Sequence, residues 1–275
     1  DILHIQWAKS IGLWIFLKND FNIKIVCSLR GTHINCSPLN DEGLARLYTK
    51  TFPLIDRFHA VSESLKKEVL KYGIKKNKID VIYSPINFKS IHKKKKNWDL
   101  QNTIQILSVG RSNWVKGYHI ALSAVKKLHD QGIDIKYTII MSDKPSEEIL
   151  YQIEDLNLYN LVTFKCYDEQ NKIFKVMAQS DCLLLPSISE GIANVVYEAI
   201  SLYLPVISSD CGGMKEIIKN GYNGYLFKNR DSLDLVKSFN TFLNSSSLEK
   251  ENLVRSAKDF ILKNNDINYV GQKLD

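Results

Sequence analysis

The chain has 275 residues, 44% hydrophobic and 24% charged, with a formal net charge of +7. These proportions exclude a disordered or fibrous protein, and the length accommodates one large domain or two ordinary ones. No apolar run reaches the roughly 18–20 residues that would cross a bilayer as a helix; the longest, Ile11 to Leu17, is broken by Lys18, Asn19 and Asp20.

Taken in chain order, strand-like apolar runs fall at residues 2–6, 23–29, 57–61 and 79–83. The opening Asp1-Ile2-Leu3-His4 has neither the basic start nor the small-residue cleavage site of a secretory signal, so a cytoplasmic location is expected. A polar stretch at 87–102 then interrupts the rhythm with Lys93-Lys94-Lys95-Lys96, Asn97 and Asp99. Beyond it, strand-like runs at 103–109, 135–141, 161–166, 181–185 and 205–208 alternate with helical patterns at 118–130, 147–156, 169–179 and 195–202, whose apolar positions recur three and four apart. Alternation of this kind predicts parallel sheets covered by helices on both faces. The expected division is a partial N-terminal domain at 1–88, a linker at 89–101, a second domain at 102–264 and a C-terminal segment at 265–275. The first domain supplies only about four strands, fewer than a doubly wound domain usually has, so the numbering is expected to begin partway through it.

Cys27, Cys36, Cys166, Cys182 and Cys211 form no Cys-x-x-Cys pair. They read as free thiols in a reducing compartment, without a metal or redox role. The positive charge is spread along the chain apart from the run at Lys93–Lys96, which reads as a solvated linker and not a nucleic-acid surface. The charge suits phosphate-bearing ligands or an anionic membrane face.

Ligands of open α/β sheets bind beyond the carboxyl ends of the strands, and three such loops carry candidate chemistry. After the run at 103–109 comes Gly110-Arg111-Ser112-Asn113-Trp114-Val115-Lys116-Gly117. Arg111 offers a planar fork and Lys116 a point charge, which suits a diphosphate, and the two glycines relax steric limits on the loop. Two solvated surface cations are the alternative.

The second loop reads Pro186-Ser187-Ile188-Ser189-Glu190-Gly191-Ile192-Ala193-Asn194-Val195 and leads to Glu198. A helix starting near Ala193 or Asn194 would offer its free amides to a phosphate. Glu190 and Glu198, up to roughly 12 Å apart along a helix axis, fit one nucleotide-sugar between them. Alternatively, Glu198 is a helix-surface carboxylate. The third loop, Ser209-Asp210-Cys211-Gly212-Gly213-Met214-Lys215-Glu216, permits a left-handed turn or close backbone approach at its paired glycines.

In this order the three loops, with the later Asn220-Gly221-Tyr222-Asn223-Gly224-Tyr225-Leu226-Phe227, resemble the family 4 retaining glycosyltransferases, the glycosyl transferases group 1. The resemblance covers nearly the whole second domain. It implies an α/β fold of GT-B type, two Rossmann-like domains whose parallel sheets face across a cleft, the N-terminal one incomplete here. It implies that Arg111 and Lys116 bind the diphosphate with Gly110, that Glu190 holds the transferred sugar and that Glu198 holds the ribose. Backbone around Gly191, Ile192, Ala193, Asn194 and Val195 would complete the phosphate site. Ile192-Ala193 departs from the family, which often has Phe-Pro or Leu-Pro there.

The first domain resembles the family more loosely, through His59-Ala60-Val61-Ser62-Glu63-Ser64 and the approach to the linker. Arg30-Gly31 stands where many relatives have His-Gly, and His33 follows it; these three are the acceptor-side candidates. The expected function is hexosyl transfer from a nucleoside-diphosphate sugar, such as a UDP- or GDP-sugar, to a glycan or lipid-linked acceptor. Surface polysaccharide synthesis is the expected setting, with retention of configuration, no metal, no cofactor, no nucleic acid, and peripheral contact with the inner membrane face. A nucleotide-sugar-binding module without turnover is the alternative. Phosphorolysis would need a pyridoxal-binding lysine, for which no signature is present.

Overall fold

The computed structural model describes residues 1–86, 103–167, 169–265, 267, 270 and 271. The linker expected at 89–101, with its lysine run, lies outside the described residues. Two compact units form. One comprises Asp1–Pro85, Ser189–Ile192 and the described residues from Ile267 on; the other comprises the described residues of Ile86–Ile188 and Ala193–Asp266.

The first unit is a parallel four-stranded sheet in the order β1 (Ile2–Ile5), β2 (Lys24–Leu29), β3 (Arg57–Ala60), β4 (Ile79–Val81). Short helices α1 (Ile11–Trp14), α2 (Phe16–Phe21), α3 (Thr32–Asn35) and α4 (Ser37–Asn40) precede the longer α5 (Glu42–Thr51) and α6 (Glu63–Val69). Asp41 caps α5 by accepting from the Leu44 amide, and Ser62 caps α6 by accepting from the Leu65 amide, each satisfying a donor the helix itself leaves over. The core gathers Ile25, Cys27 and Leu29 of β2 with an aromatic group in which Tyr48 stacks on Phe52 at 4.3 Å between ring centroids.

Across this sheet runs a chain of hydrogen bonds. His4 Nε2 lies 2.9 Å from Ser28 Oγ, Ser28 Oγ lies 3.2 Å from His59 Nδ1, and His59 Nε2 lies 2.9 Å from the Ile82 carbonyl. A carbonyl can only accept, so His59 Nε2 carries a proton. With His59 neutral, Ser28 donates to Nδ1 and in turn accepts from His4. Burial first, then the Arg30 charge, lowers the pKa of His4. Burial is likewise the main cause at His59, where Arg30 and His4 act the same way and the Ile82 bond and Asp80 act against it.

The second unit is a six-stranded sheet, all parallel, in the order β10 (Tyr225–Phe227), β9 (Val206–Ser209), β8 (Cys182–Leu185), β5 (Ile104–Val109), β6 (Ile135–Ile140), β7 (Val162–Lys165). Its helices are α7 (Tyr118–Asp130), α8 (Glu147–Asp155), α9 (Gln170–Gln179), α10 (Asn194–Ser201), α11 (Met214–Ile217), α12 (Ser232–Asn244) and α13 (Ser247–Asn265). Every residue of β8 and β9 is buried, as expected of strands covered on both faces. Helix α12 packs on α7 and β10, and α10 packs on β8, β9 and α13. Phe239 and Phe242 of α12 are fully buried, each worth about 1.5–3 kcal/mol relative to exposure. Among the described residues, no helix is long and apolar enough to cross a membrane. The five cysteines are free, with Cys27, Cys182 and Cys211 buried, Cys36 half-buried and Cys166 exposed.

Candidate functional site

The strand order of the second unit reverses at β5 and β8. From β5 the chain steps outward through β6 to β7; from β8 it steps the other way through β9 to β10. The loops leaving β5 and β8 therefore diverge and open a crevice between them, which is where open α/β sheets take their ligands.

The loop after β5 has a tightly set backbone. Asn113 accepts a hydrogen bond from the Val115 amide through its side chain and starts a single 3₁₀ turn, Trp114–Lys116. Gly117 ends that turn at φ 64°, and a Cβ built there would stand 2.0 Å from the Pro186 carbonyl oxygen. No side chain fits without moving backbone. At Gly110, a Cβ would lie 3.0 Å from Lys116 Cε, so the aliphatic stem of Lys116 crosses directly over this glycine. Arg111 is exposed and forms no ion pair with a described residue.

Hydrogen bonds join the loops to one another. The Ile188 amide donates to the Val115 carbonyl at 2.7 Å, tying the loop after β8 to the loop after β5. Ser209, at the end of β9, donates from Oγ to the Ser187 carbonyl. Asn229, just beyond β10, donates from Nδ2 to the Ile188 carbonyl at 2.8 Å, and the Asp210 amide donates to Phe227 O at 2.8 Å. Beneath them the buried Ser108 donates to Leu184 O and accepts from Tyr137 Oη at 2.9 Å. Four strand ends are thus joined through backbone carbonyls, an arrangement that holds a loop in one shape. In the loop after β9, Gly212 adopts φ 53°, the left-handed turn that its glycine permits. Glu216 is the third residue of the one-turn α11.

Helix α10 starts at Asn194, with Ala193 as its N-cap and no side-chain cap bond. The Val196 amide of its first turn donates to the Ala193 carbonyl at 3.0 Å, and a helix N-terminus favours an anion at the amides ahead of it. Ala193 is buried, Asn194 exposed and Val195 half-buried. Glu198, in the second turn, is half-buried and accepts a 2.8 Å hydrogen bond at Oε1 from Nε2 of Gln170. Burial raises the Glu198 pKa, and the Gln170 bond opposes that shift.

Ser189–Ile192 belongs to the first unit, and Glu190 sits on this loop, ahead of α10. Asn35 Nδ2 donates to Ser189 Oγ at 3.3 Å and to the Glu190 carbonyl at 3.5 Å. Gly191 packs closely: a Cβ there would lie 2.9 Å from Leu65 Cδ1 and 3.3 Å from the Gly31 amide nitrogen. Ile192 is buried. Gly31 itself takes φ 48°. Arg30 donates to Gln6 Oε1 at 2.7 Å, and His33 meets Trp7 edge-on at 4.3 Å between ring centroids. The acceptor-side candidates Arg30, Gly31 and His33 therefore share the carboxyl ends of β1 and β2 with Gln6 and Trp7.

The glycosyl transferases group 1 model matches residues 89–260, and the Glycosyltransferase Family 4 model matches residues 1–89. The chain belongs to the glycosyl transferases group 1 family. Among its relatives, the amylovoran biosynthesis glycosyltransferase AmsK of Erwinia amylovora is 28% identical over 195 residues, which is 69% of this chain and 48% of AmsK. N-acetyl-alpha-D-glucosaminyl L-malate synthase of Bacillus anthracis is 27% identical over 260 residues, 91% of this chain and 67% of that one. Against AmsK, the chain spans about half the relative's length. Among solved structures, Anabaena HepE in complex with UDP and glucose superposes with a TM-score of 0.85 at 18% identity, covering 100% of this chain and 76% of that one. At that identity the likeness speaks to fold, and the fold is GT-B.

For this group 1 chain, several residues of the site region carried no readable sequence signal. Gln170 is an ordinary polar residue at a helix start until the fold sets it against Glu198. Asn229, whose Oδ1 is buried and without a hydrogen-bond partner among the described residues, lies 41 positions from the loop it holds. Trp7 and Gln6 pass for the end of an apolar strand. A Glu followed twenty-eight positions after a Gln is not a pattern; only the adjacency of α9 and α10 makes it one.

Proposed function

We propose that this chain belongs to a retaining glycosyltransferase, one that moves a hexosyl group from a nucleoside-diphosphate sugar to a glycan or lipid-linked acceptor in surface polysaccharide synthesis. The observation that carries this reading is the hydrogen-bonded set of loops at the strand-order reversal of the second sheet, one bearing Arg111 and Lys116 and one leading into the uncapped start of α10. In the transition state, negative charge grows on the departing diphosphate. Arg111, Lys116 and the α10 amides are fixed positive groups suited to that charge, with no reorganisation needed at the moment of transfer. Glu198 holds the ribose hydroxyls and Glu190 the transferred sugar, with Gly110 and the Gly191–Val195 backbone letting the donor approach closely. Arg30, Gly31 and His33 serve the acceptor side.

The name of AmsK supports the polysaccharide setting, and the UDP and glucose bound to HepE support the donor class. Because the protein supplies its own cations, transfer proceeds without a metal. Contact with an anionic inner membrane face belongs to the same reading, supported by the net charge of +7 and by Leu13, Trp14, Phe16 and Phe21, exposed on α1 and α2.

A thermal-shift panel of UDP-, GDP- and ADP-sugars on the full-length protein tests the donor class. A ligand that binds the folded state raises Tm by mass action, by about 2.7 kcal/mol of stability at a hundredfold excess over Kd. One nucleotide family should stand out; a flat response to all three contradicts the proposal.

A further inference from the structure

The bond between Gln170 and Glu198 links the successive helices α9 and α10, and it engages one oxygen of the half-buried carboxylate from within the protein. Gln170 is the first residue of α9, and its Nε2 donates to Glu198 Oε1 at 2.8 Å. The terminal torsion of a glutamate is broad, with little intrinsic preference, so a single well-placed donor decides the plane of the carboxylate. An ionised carboxylate offers about four lone-pair positions over its two oxygens. Gln170 takes one on Oε1, which leaves about three, two of them on Oε2, enough for two further donors. A vicinal diol, such as the 2′- and 3′-hydroxyls of a ribose, presents two donors at the spacing of those oxygens.

Glutamine suits this task for a chemical reason. It donates to the carboxylate without neutralising it, so the negative charge stays available to the hydroxyls, where a lysine would compete for it. Its bond also works against the burial that disfavours the ionised form of Glu198.

We infer that Gln170 is a positioning residue of the donor site, aligning Glu198 so that both ribose hydroxyls are bound and ribonucleotides are selected over 2′-deoxyribonucleotides. This rests on the reading of Glu198 as the ribose-binding carboxylate.

The test is calorimetric titration of the full-length protein with UDP, GDP and ADP, and then with the 2′-deoxy counterpart of whichever binds. The wild type should prefer the ribonucleotide by about tenfold or more, the scale of one well-made hydrogen bond. Gln170→Ala should shrink that preference to within about threefold, chiefly by weakening the ribonucleotide, while kcat at saturating donor-sugar and the Tm of the free protein stay near wild type. Gln170→Glu, which sets a second carboxylate against the first, should weaken ribonucleotide binding further. Glu198→Gln should also collapse the preference, and adding Gln170→Ala to it should cost little more, since both changes remove one interaction. If Gln170→Ala keeps the full preference while Glu198→Gln loses it, the inference is overturned and the ribose role of Glu198 stands. If Glu198→Gln keeps the preference, both fall. Failure of the wild type to bind any of the three nucleotides overturns the donor reading and this inference together.

Discussion

The Ile188 amide and the Val115 carbonyl, 73 positions apart in the chain, meet at 2.7 Å, and this bond makes one surface of two loops that leave different strands. Gly117 is what lets them approach, because the Pro186 carbonyl occupies the space a side chain would need. Gly117→Ala should therefore strain the loop and destabilise the protein by about 1–3 kcal/mol. It should also weaken donor binding, since the loop bearing Arg111 and Lys116 must shift. Urea unfolding and nucleotide titration of the same variant measure the two effects; unchanged values in both would show that the close approach has no consequence.

The hydrogen-bonded chain from His4 through Ser28 to His59 is complete with both imidazoles neutral. In the unfolded chain both histidines titrate near pH 6.5; in the folded protein both pKa values lie lower. Below pH 6.5 the unfolded state therefore binds more protons, so stability is full above that value and is lost as pH falls through the folded values. Tm should drop between pH 7 and pH 5, and His59→Gln should flatten that dependence in part, leaving His4 and the likewise lowered His119 to account for the rest. A slope in His59→Gln identical to wild type would rule out a contribution from this imidazole.

Much of this fold was legible in the sequence, and for a physical reason. Strands buried on both faces must be continuous apolar runs, so those expected at 181–185 and 103–109 lie within a residue of β8 and β5, and the helix expected at 118–130 coincides with α7. What could not be read is what depends on neighbours in space. Residues 220–227 read as a turn, yet the last three, Tyr225–Phe227, form β10 because β9 offers them a free edge. Arg111, Lys116 and Glu198 stand out by charge and spacing. Gln170 and Asn229 do not, because an amide side chain has no signature until its partner is known.

The two carboxylates should fail differently. Glu198→Gln keeps the size of the side chain but loses the charge proposed to hold the ribose, so the donor KM should rise with a smaller change in kcat. Glu190→Gln, at the residue proposed to hold the transferred sugar, should lower kcat itself. Steady-state kinetics at varied donor concentration separates these cases; a fully active Glu190→Gln beside a dead Glu198→Gln means the roles are exchanged. The first-formed product, followed by NMR, should carry the donor's own anomeric configuration, and an inverted anomer contradicts the retaining reading.

Transfer should persist in excess EDTA if, as proposed, Arg111, Lys116 and the α10 amides take up the charge of the leaving group. Activity that vanishes on chelation and returns with Mg²⁺ or Mn²⁺ would contradict this.

Arg111 and Lys116 are proposed to stabilise a departing nucleoside diphosphate. Arg111→Ala removes an exposed side chain, so stability should stay within about 0.5 kcal/mol of wild type. Lys116→Met keeps an aliphatic stem over Gly110 and removes the ammonium group. The deciding measurement is the rate of nucleoside-diphosphate release from the bound donor-sugar by full-length wild type and these two variants, at saturating donor. The wild type should turn over, and each variant should lose about 10²-fold or more of that rate with folding intact. Near-normal rates in both variants would contradict the proposed role.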